Sequence, residues 1–279
     1  LTVAETRALL DAQGYIADTR LATAVHLALA MQRPLFLEGE PGTGKTAIAL
    51  ALAAALGRRL VRLQCYEGLD IAQAAYEWDR PRQLLAIRLA EATGGGVLER
   101  DLYSRAYLQP RALLSAIDPE LPPAVLLIDE LDRADEPFEA FLLELLGDYQ
   151  ITIPELGTIQ AATPPVVVIT SNRTREVHDA IRRRCLYHWV DFPDAARERA
   201  ILARQAPDVP ELLAAQVVAY VQQLRTQNLY KPPGVAETLD WARALVALGE
   251  TELSPDAIDR SLGALVKYPD DSAQAPRGV

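Results

Sequence analysis

The sequence predicts an α/β protein, a five-stranded parallel sheet flanked by helices, followed by a smaller all-helical unit. Three observations predict this. Five short apolar runs alternate with helical patterns up to about residue 193. Strand signals stop there, and a glycine-rich segment joins the first apolar run to an Ala/Leu-rich helix. Strands that alternate with helices build a parallel sheet covered on both faces, and such sheets bind ligands beyond the carboxyl ends of their strands.

In order, residues 35–38, 60–65, 124–129, 166–170 and 187–191 have the length and composition of buried strands. Residues 47–56 read as a helix stopped by Gly57. Between the second and third runs, residues 66–123 exceed the one helix a crossover needs. They carry helical patterns at 83–92 and 111–117 and a Gly94-Gly95-Gly96 break. A connection of that length is expected to contact a substrate or partner.

After Phe192-Pro193 the chain reads as helices over 195–204, 211–227, 235–248 and 255–266, separated by Pro207, Pro210, Pro232, Pro233 and Gly249. The expected division is an α/β core over 1–193, a helical unit over 194–269 and a polar, frayed tail over 270–279.

Half of the residues are apolar, which is ample for a packed core. The longest uninterrupted apolar stretch is ten residues, 47–56, against the roughly 20 a membrane-spanning helix needs. Residues 1–10 show no basic flank followed by an apolar block, so no secretory signal is read. Two cysteines, Cys65 and Cys185, make neither a disulfide framework nor a zinc site, and a cytoplasmic location is expected. A net charge of −10 disfavours general binding to nucleic acid, so protein partners are expected.

Gly39-Glu40-Pro41-Gly42-Thr43-Gly44-Lys45-Thr46 matches G-x-x-x-x-G-K-[ST] in full. In that pattern backbone N–H groups turn inward around phosphate oxygens, and the helix beginning at Ala47 points its positive end at the same anion. Lys45 is expected to face the β- and γ-phosphates, and the Thr46 hydroxyl to complete the shell of a Mg²⁺. The implied cofactors are ATP and Mg²⁺.

The run 124–129 ends in Asp129-Glu130. Asp129 is expected to hold Mg²⁺ through water and Glu130 to polarise an attacking water, unless the pair is an exposed acidic turn continued by Asp132, Asp135 and Glu136. The run 166–170 ends in Ser171-Asn172, and Asn172 suits a group that orients water against a γ-phosphate; otherwise it is a turn residue.

Arg182-Arg183-Arg184 precedes the fifth run. Three guanidinium groups face either a neighbouring subunit's γ-phosphate or solvent at a helix end. Gln64, at the end of the second run, either restrains Glu130 or caps the strand. His26, His178 and His188 have no metal-site spacing and read as structural, as do both cysteines.

The order of these motifs resembles the AAA+ ATPases over nearly the whole chain. Residues 148–157, a hairpin-like segment before the Asn172 run, together with the insertion after the second run, resemble the MoxR branch. Tyr76-Glu77-Trp78-Asp79, the 83–88 segment and residues 233–241 resemble the CoxD-type ATPases encoded with carbon monoxide dehydrogenase.

The resemblance implies a P-loop AAA+ core with strand order 5-1-4-3-2, a pre-sensor hairpin at about 147–162 and a C-terminal helical lid. It also implies a homo-oligomeric, hexameric ring chaperone, a partner with a von Willebrand factor A domain, and a molybdenum hydroxylase client whose metal centre is completed. By the same resemblance Asn172 is the sensor and Arg184 the arginine finger, with Arg183 as the alternative. Many relatives carry a sensing Arg at the start of a lid helix. This chain has Val235-Ala236-Glu237 there, and Arg243 lies two turns on. Competing readings are a clamp-loader-like machine acting on nucleic acid and a nucleotide-gated scaffold with little turnover.

Overall fold

The computed structural model describes residues 1–96 and 98–276. The chain opens with α1 (Val3–Ala12) and α2 (Thr19–Met31), each started by a side chain that accepts from the first turn: Thr2 from Glu5 N and Asp18 from Leu21 N. There follow β1 (Leu35–Gly39), α3 (Lys45–Leu56) and β2 (Arg59–Gln64). The insertion holds α4 (Ile71–Ala74), β3 (Tyr76–Trp78), α5 (Arg80–Ala92), α6 (Glu99–Leu102), β4 (Leu108–Pro110) and α7 (Ala112–Ile117). Then come β5 (Ala124–Asp129), α8 (Glu136–Asp148), the hairpin β6 (Gln150–Ile153) and β7 (Gly157–Gln160), β8 (Val166–Ser171), α9 (Asp179–Arg184) and β9 (Leu186–Val190).

The main sheet runs β2-β5-β8-β1-β9 with every pairing parallel. Counted over the core strands alone this is the expected 5-1-4-3-2 order, read from the other edge. β1 and β5 are buried along their whole length and β8 nearly so, as apolar runs with neighbours on both sides must be.

The outer two strands differ from expectation. Residues 60–65 and 187–191 were expected to be buried, but β2 and β9 each have one neighbour and are only partly covered. On β2 this leaves Arg62 and Gln64 exposed on one side while Leu63 points into the core. Carboxyl ends of the central strands lie together, and all the motif residues but the arginines sit there.

In the insertion β3 and β4 pair antiparallel, and α7 buries Leu113, Leu114, Ala116 and Ile117 against the sheet. No residue of α5 is buried.

Beyond Phe192 the described residues form helices only: α10 (Ala195–Gln205), α11 (Glu211–Leu224), α12 (Val235–Ala247), α13 (Pro255–Leu265) and α14 (Pro269–Gln274). They share their own core, which includes Leu213, Val217, Trp241, Leu245 and Ile258. Inside it Arg225 and Glu198 form a buried ion pair at 2.7 Å, and Glu198 also accepts from Gln222 and Thr238.

The frayed tail expected from residue 270 is not what forms. Asp271 is buried in α14 and accepts from Tyr230 N (2.7 Å) and Lys231 N (3.0 Å), and Tyr220 donates to the Pro276 carbonyl. Those bonds satisfy the 230–231 turn, which composition alone does not reveal. Residues 277–279 of that tail lie outside the described residues. Among the described residues no helix is long and apolar enough to cross a membrane.

Candidate active site

The loop after β1 turns at Gly44, whose φ of +89° makes it the left-handed N-cap of α3. The helix therefore begins at Lys45, two residues before the expected start, and its first N–H groups open toward a cavity of about 370 Å³. Lys45, Thr46, Ala47, Asp129, Glu130, Thr170 and Asn172 line that cavity, and Pro41, Gly42 and Gly44 close one side. Three separate stretches of the core sequence thus meet at one sheet edge.

Lys45 is buried, and its Nζ donates to the Gly39 and Glu40 carbonyls, both at 2.7 Å. Burial pushes its ammonium down to about 8, against the pull of Asp132, Glu40, Asp129 and Glu130. An anion in the cavity would raise it again. Thr43 donates to the Glu40 carbonyl and holds the loop closed on itself.

Thr46 Oγ1 lies 3.0 Å from Asp129 Oδ1, and Thr170 Oγ1 donates to the same oxygen at 2.6 Å. A hydroxyl and a carboxylate at this spacing, beside a phosphate-type loop, are hard oxygen donors of the kind Mg²⁺ takes, so Thr46 and Asp129 fit the ion. When bound, Mg²⁺ would neutralise charge on the phosphates.

Glu130 has a left-handed backbone with φ of +56°, unusual for a residue with a side chain, and its N–H donates to Thr170 Oγ1 at 2.9 Å. Its carboxylate accepts from Asn172 Nδ2 at 3.2 Å, Gln64 Nε2 at 3.1 Å and Arg133 at 3.3 Å. Three donors from three elements fix the direction of one acid.

The arginine cluster divides. Arg182 turns inward, pairs with buried Glu38 at 2.6 Å and stacks on Phe36 and Tyr187, so its cost is met locally. Arg183 pairs with Asp179 at 2.6 Å. Arg184 is exposed, donates to the Ala180 carbonyl and, among the described residues, makes no ion pair. The register Leu35↔Leu186 puts Arg183 and Arg184 at the amino end of the sheet. The glycine-rich loop after β1 is at the other end, more than about 13 Å away along the strands. Neither arginine joins the cavity of its own chain.

Arg243 does not reach it either; it donates to the Gln205 carbonyl at 2.8 Å. The lid's contribution to the lining carries no charge: the apolar Val235, Ala236 and Leu239, with the amide of Gln205. Instead of a charge, the lid supplies backbone contact. Val235 N donates to the Gly42 carbonyl at 2.9 Å, with Gly234 packed directly on Gly42.

Sequence reasoning missed several residues. Asp132, placed in an acidic turn, is buried and accepts from Asn172 N, Thr174 N and Thr174 Oγ1, so it aims the Asn172 segment. Arg62 pairs with Asp129 at 2.6 Å. The two-residue period of β2 puts Arg62 on the Gln64 face, a signal available from sequence.

A second recess, lined by Tyr15, Ile16, Pro193 and Ile201 and also by Asp191 and Arg197, shares Gly44, Ala47, Gln205 and Val235 with the first. Nothing in the residues before α2 announced it. Both thiols are pushed up to about 12 by burial, which leaves them unreactive. His178 caps α9, accepting from Ala180 N.

A triphosphate loop, an Asp-Glu strand end and an Asn strand end on a 5-1-4-3-2 sheet, closed by a helical lid, define an AAA+ nucleotide site. Residues 34–185, over half of the chain, match the model of the AAA domain (dynein-related subfamily), and the chain belongs to that family.

Among curated proteins it is similar to the protein NorQ of Paracoccus denitrificans, 26% identical over 281 residues that cover 96% of this chain and 92% of that one. The expected MoxR-like AAA+ character is met. It is also similar to Midasin of Giardia intestinalis, 26% identical over 224 residues, which are 75% of this chain but span only 4% of that protein. A RuvB variant from Thermotoga maritima shares the fold with a TM-score of 0.53 at 17% identity, covering 91% of this chain and 70% of that one.

Proposed function

We propose that the chain hydrolyses ATP and couples turnover to the remodelling of a protein client. The observation that carries this is the convergence of Lys45, Thr46, Asp129, Glu130 and Asn172 on one cavity. Lys45 and the loop N–H groups would take the β- and γ-phosphates, and Thr46 and Asp129 would hold Mg²⁺. Glu130 would accept the proton of an attacking water, with Asn172 fixing both the acid and the γ-phosphate. The recess beside Tyr15 and Ile16 adjoins the loop where the base would lie, with Ile16, Pro193 and Ile201 as its apolar wall.

Arg184 would complete a neighbouring copy's site rather than its own, which supports a homo-oligomeric ring, hexameric by resemblance. Arg183 is the alternative finger, weakened by its pairing with Asp179. The insertion and the lid would move with phosphate loss and carry the work to the client.

The resemblance of residues 76–79, 83–88 and 233–241 to the CoxD type supports the finer reading. The client is a molybdenum hydroxylase such as carbon monoxide dehydrogenase, reached in the cytoplasm with a von Willebrand factor A domain protein. The charge of −10 speaks against a nucleic-acid client.

Glu130→Gln protein, stalled with ATP, tests both levels. It should bind ATP, turn over at least about 100-fold more slowly than wild type, and retain the partner and the hydroxylase on affinity purification. Wild-type turnover that is absent with ATP, or stimulated by DNA and by no protein, would sink the reading.

A further inference from the structure

Asp129, the carboxylate suited to the metal, has both oxygens engaged by the protein. Thr46 and Thr170 hydroxyls take Oδ1, while Oδ2 takes the Arg62 guanidinium at 2.6 Å. The same Arg62 nitrogen donates to Gln64 Oε1 at 2.8 Å, and Gln64 Nε2 then donates to Glu130 at 3.1 Å. The chain Asp129–Arg62–Gln64–Glu130 is continuous.

Its polarity is set by Arg62. A guanidinium only donates, so it fixes Gln64 with the amide oxygen toward β2 and the NH₂ toward Glu130. The opposite orientation would present an oxygen to a carboxylate. Arg62 thus neutralises one acid directly and turns a restraining hydrogen bond onto the other.

A divalent cation reaching Asp129, directly or through water, meets a positive charge already seated on that carboxylate, and the two repel. Arg62 is on an edge strand, with 54% of its side chain exposed, so it can leave for solvent at small cost. Gln64 then loses the contact that orients it.

We infer that Arg62 is a resident counter-ion of the metal site, displaced when the metal arrives with the nucleotide, and that its departure loosens Gln64 and so removes one of the three restraints on Glu130. This rests on the nucleotide-hydrolysing reading above and adds its regulation: the Gln64 restraint on the acid holds until the metal site fills. Arg62 is a positioning residue, acting through Asp129 and Gln64.

The test is a Mg²⁺ titration of the binding of a fluorescent, non-hydrolysable ATP analogue to the full chain, compared for wild type, Arg62→Gln and Arg62→Lys. Arg62→Gln should half-saturate at a Mg²⁺ concentration about three- to fivefold lower, the range expected for losing one exposed ion pair. Arg62→Lys keeps the charge and should return to within about twofold of wild type.

An unchanged or raised Mg²⁺ requirement in Arg62→Gln would overturn the inference, because a strut that holds Asp129 for the metal predicts that direction. Wild-type protein that binds no analogue at any Mg²⁺ concentration would remove the nucleotide reading itself, and the inference with it.

Discussion

The core and the lid meet the same cavity with opposite chemistry. The core brings an ammonium, two carboxylates, two hydroxyls and an amide to the carboxyl edge of one sheet, each hydrogen-bonded to another element. The lid brings three apolar side chains, the uncharged amide side chain of Gln205 and one backbone N–H. It keeps its own charged network away from the cavity, buried among α10, α11 and α12. The charged groups of the cavity are therefore set by the core, and the lid decides only where its wall stands.

That division predicts unequal costs. The largest concerns a group outside its own cavity. Arg184→Ala should leave nucleotide binding intact and lower ATP turnover by about 10³-fold, the scale of a lost arginine finger. Mixing it with Glu130→Gln protein should restore part of the activity at mixed interfaces. Full turnover by a verified monomer would break the division, since one chain would then suffice.

In the lid, Arg225→Met would strand the fully buried Glu198 carboxylate. A loss of about 3 kcal/mol in lid stability is expected, read as faster hydrogen exchange in α10 to α12. Replacing Glu198 by Leu in the same protein should recover much of it. Equal loss of protection in the β1–β5–β8 sheet would show that core and lid do not respond separately.

What the sequence disclosed follows the same line. Lys45, Thr46, Asp129, Glu130 and Asn172 were legible because each ends a buried strand or opens a helix, where period and composition mark the boundary. Edge strands were less so: Arg62 and Gln64 alternate with apolar residues on β2, yet only the pairing shows that β2 and β9 each lack a neighbour.

The arginines illustrate the limit of composition. Three adjacent guanidinium groups read alike, yet Glu38 claims one and Asp179 another, both partners fixed by packing. Asp132 and Asp271 were hidden for a related reason: a buried carboxylate serving backbone N–H groups has the same local sequence as a solvated one.

A smaller effect comes from pH. Lys45 sits at about 8 in the free protein against an ordinary 10.5. A bound triphosphate favours the ammonium, so above pH 8 binding takes up a proton and affinity falls, by at most about tenfold per pH unit. Calorimetry in buffers of different ionisation enthalpy would read that uptake. The free protein moves the other way. Between about 8 and 10.5 the unfolded chain holds the proton that the folded chain has lost, so this group's contribution to stability rises with pH.

The finest test of the lid's role uses the direct bond from α12 to the phosphate loop. An alanine at 234 would place Cβ 2.7 Å from Gly42 Cα and 2.8 Å from its carbonyl carbon and oxygen, all backbone atoms that cannot swing aside. α12 must then lift, stretching the bond from Val235 N to the Gly42 carbonyl and drawing Val235, Ala236 and Leu239 back from the cavity. Losing one such hydrogen bond costs about 1 kcal/mol, so Gly234→Ala should weaken nucleotide binding about fivefold. If the lid wall only excludes solvent, the loss appears in affinity while turnover at saturating ATP holds. If turnover falls in proportion, the contact at Gly42 also sets the loop for the chemical step, and the separation of chemistry from wall placement is incomplete.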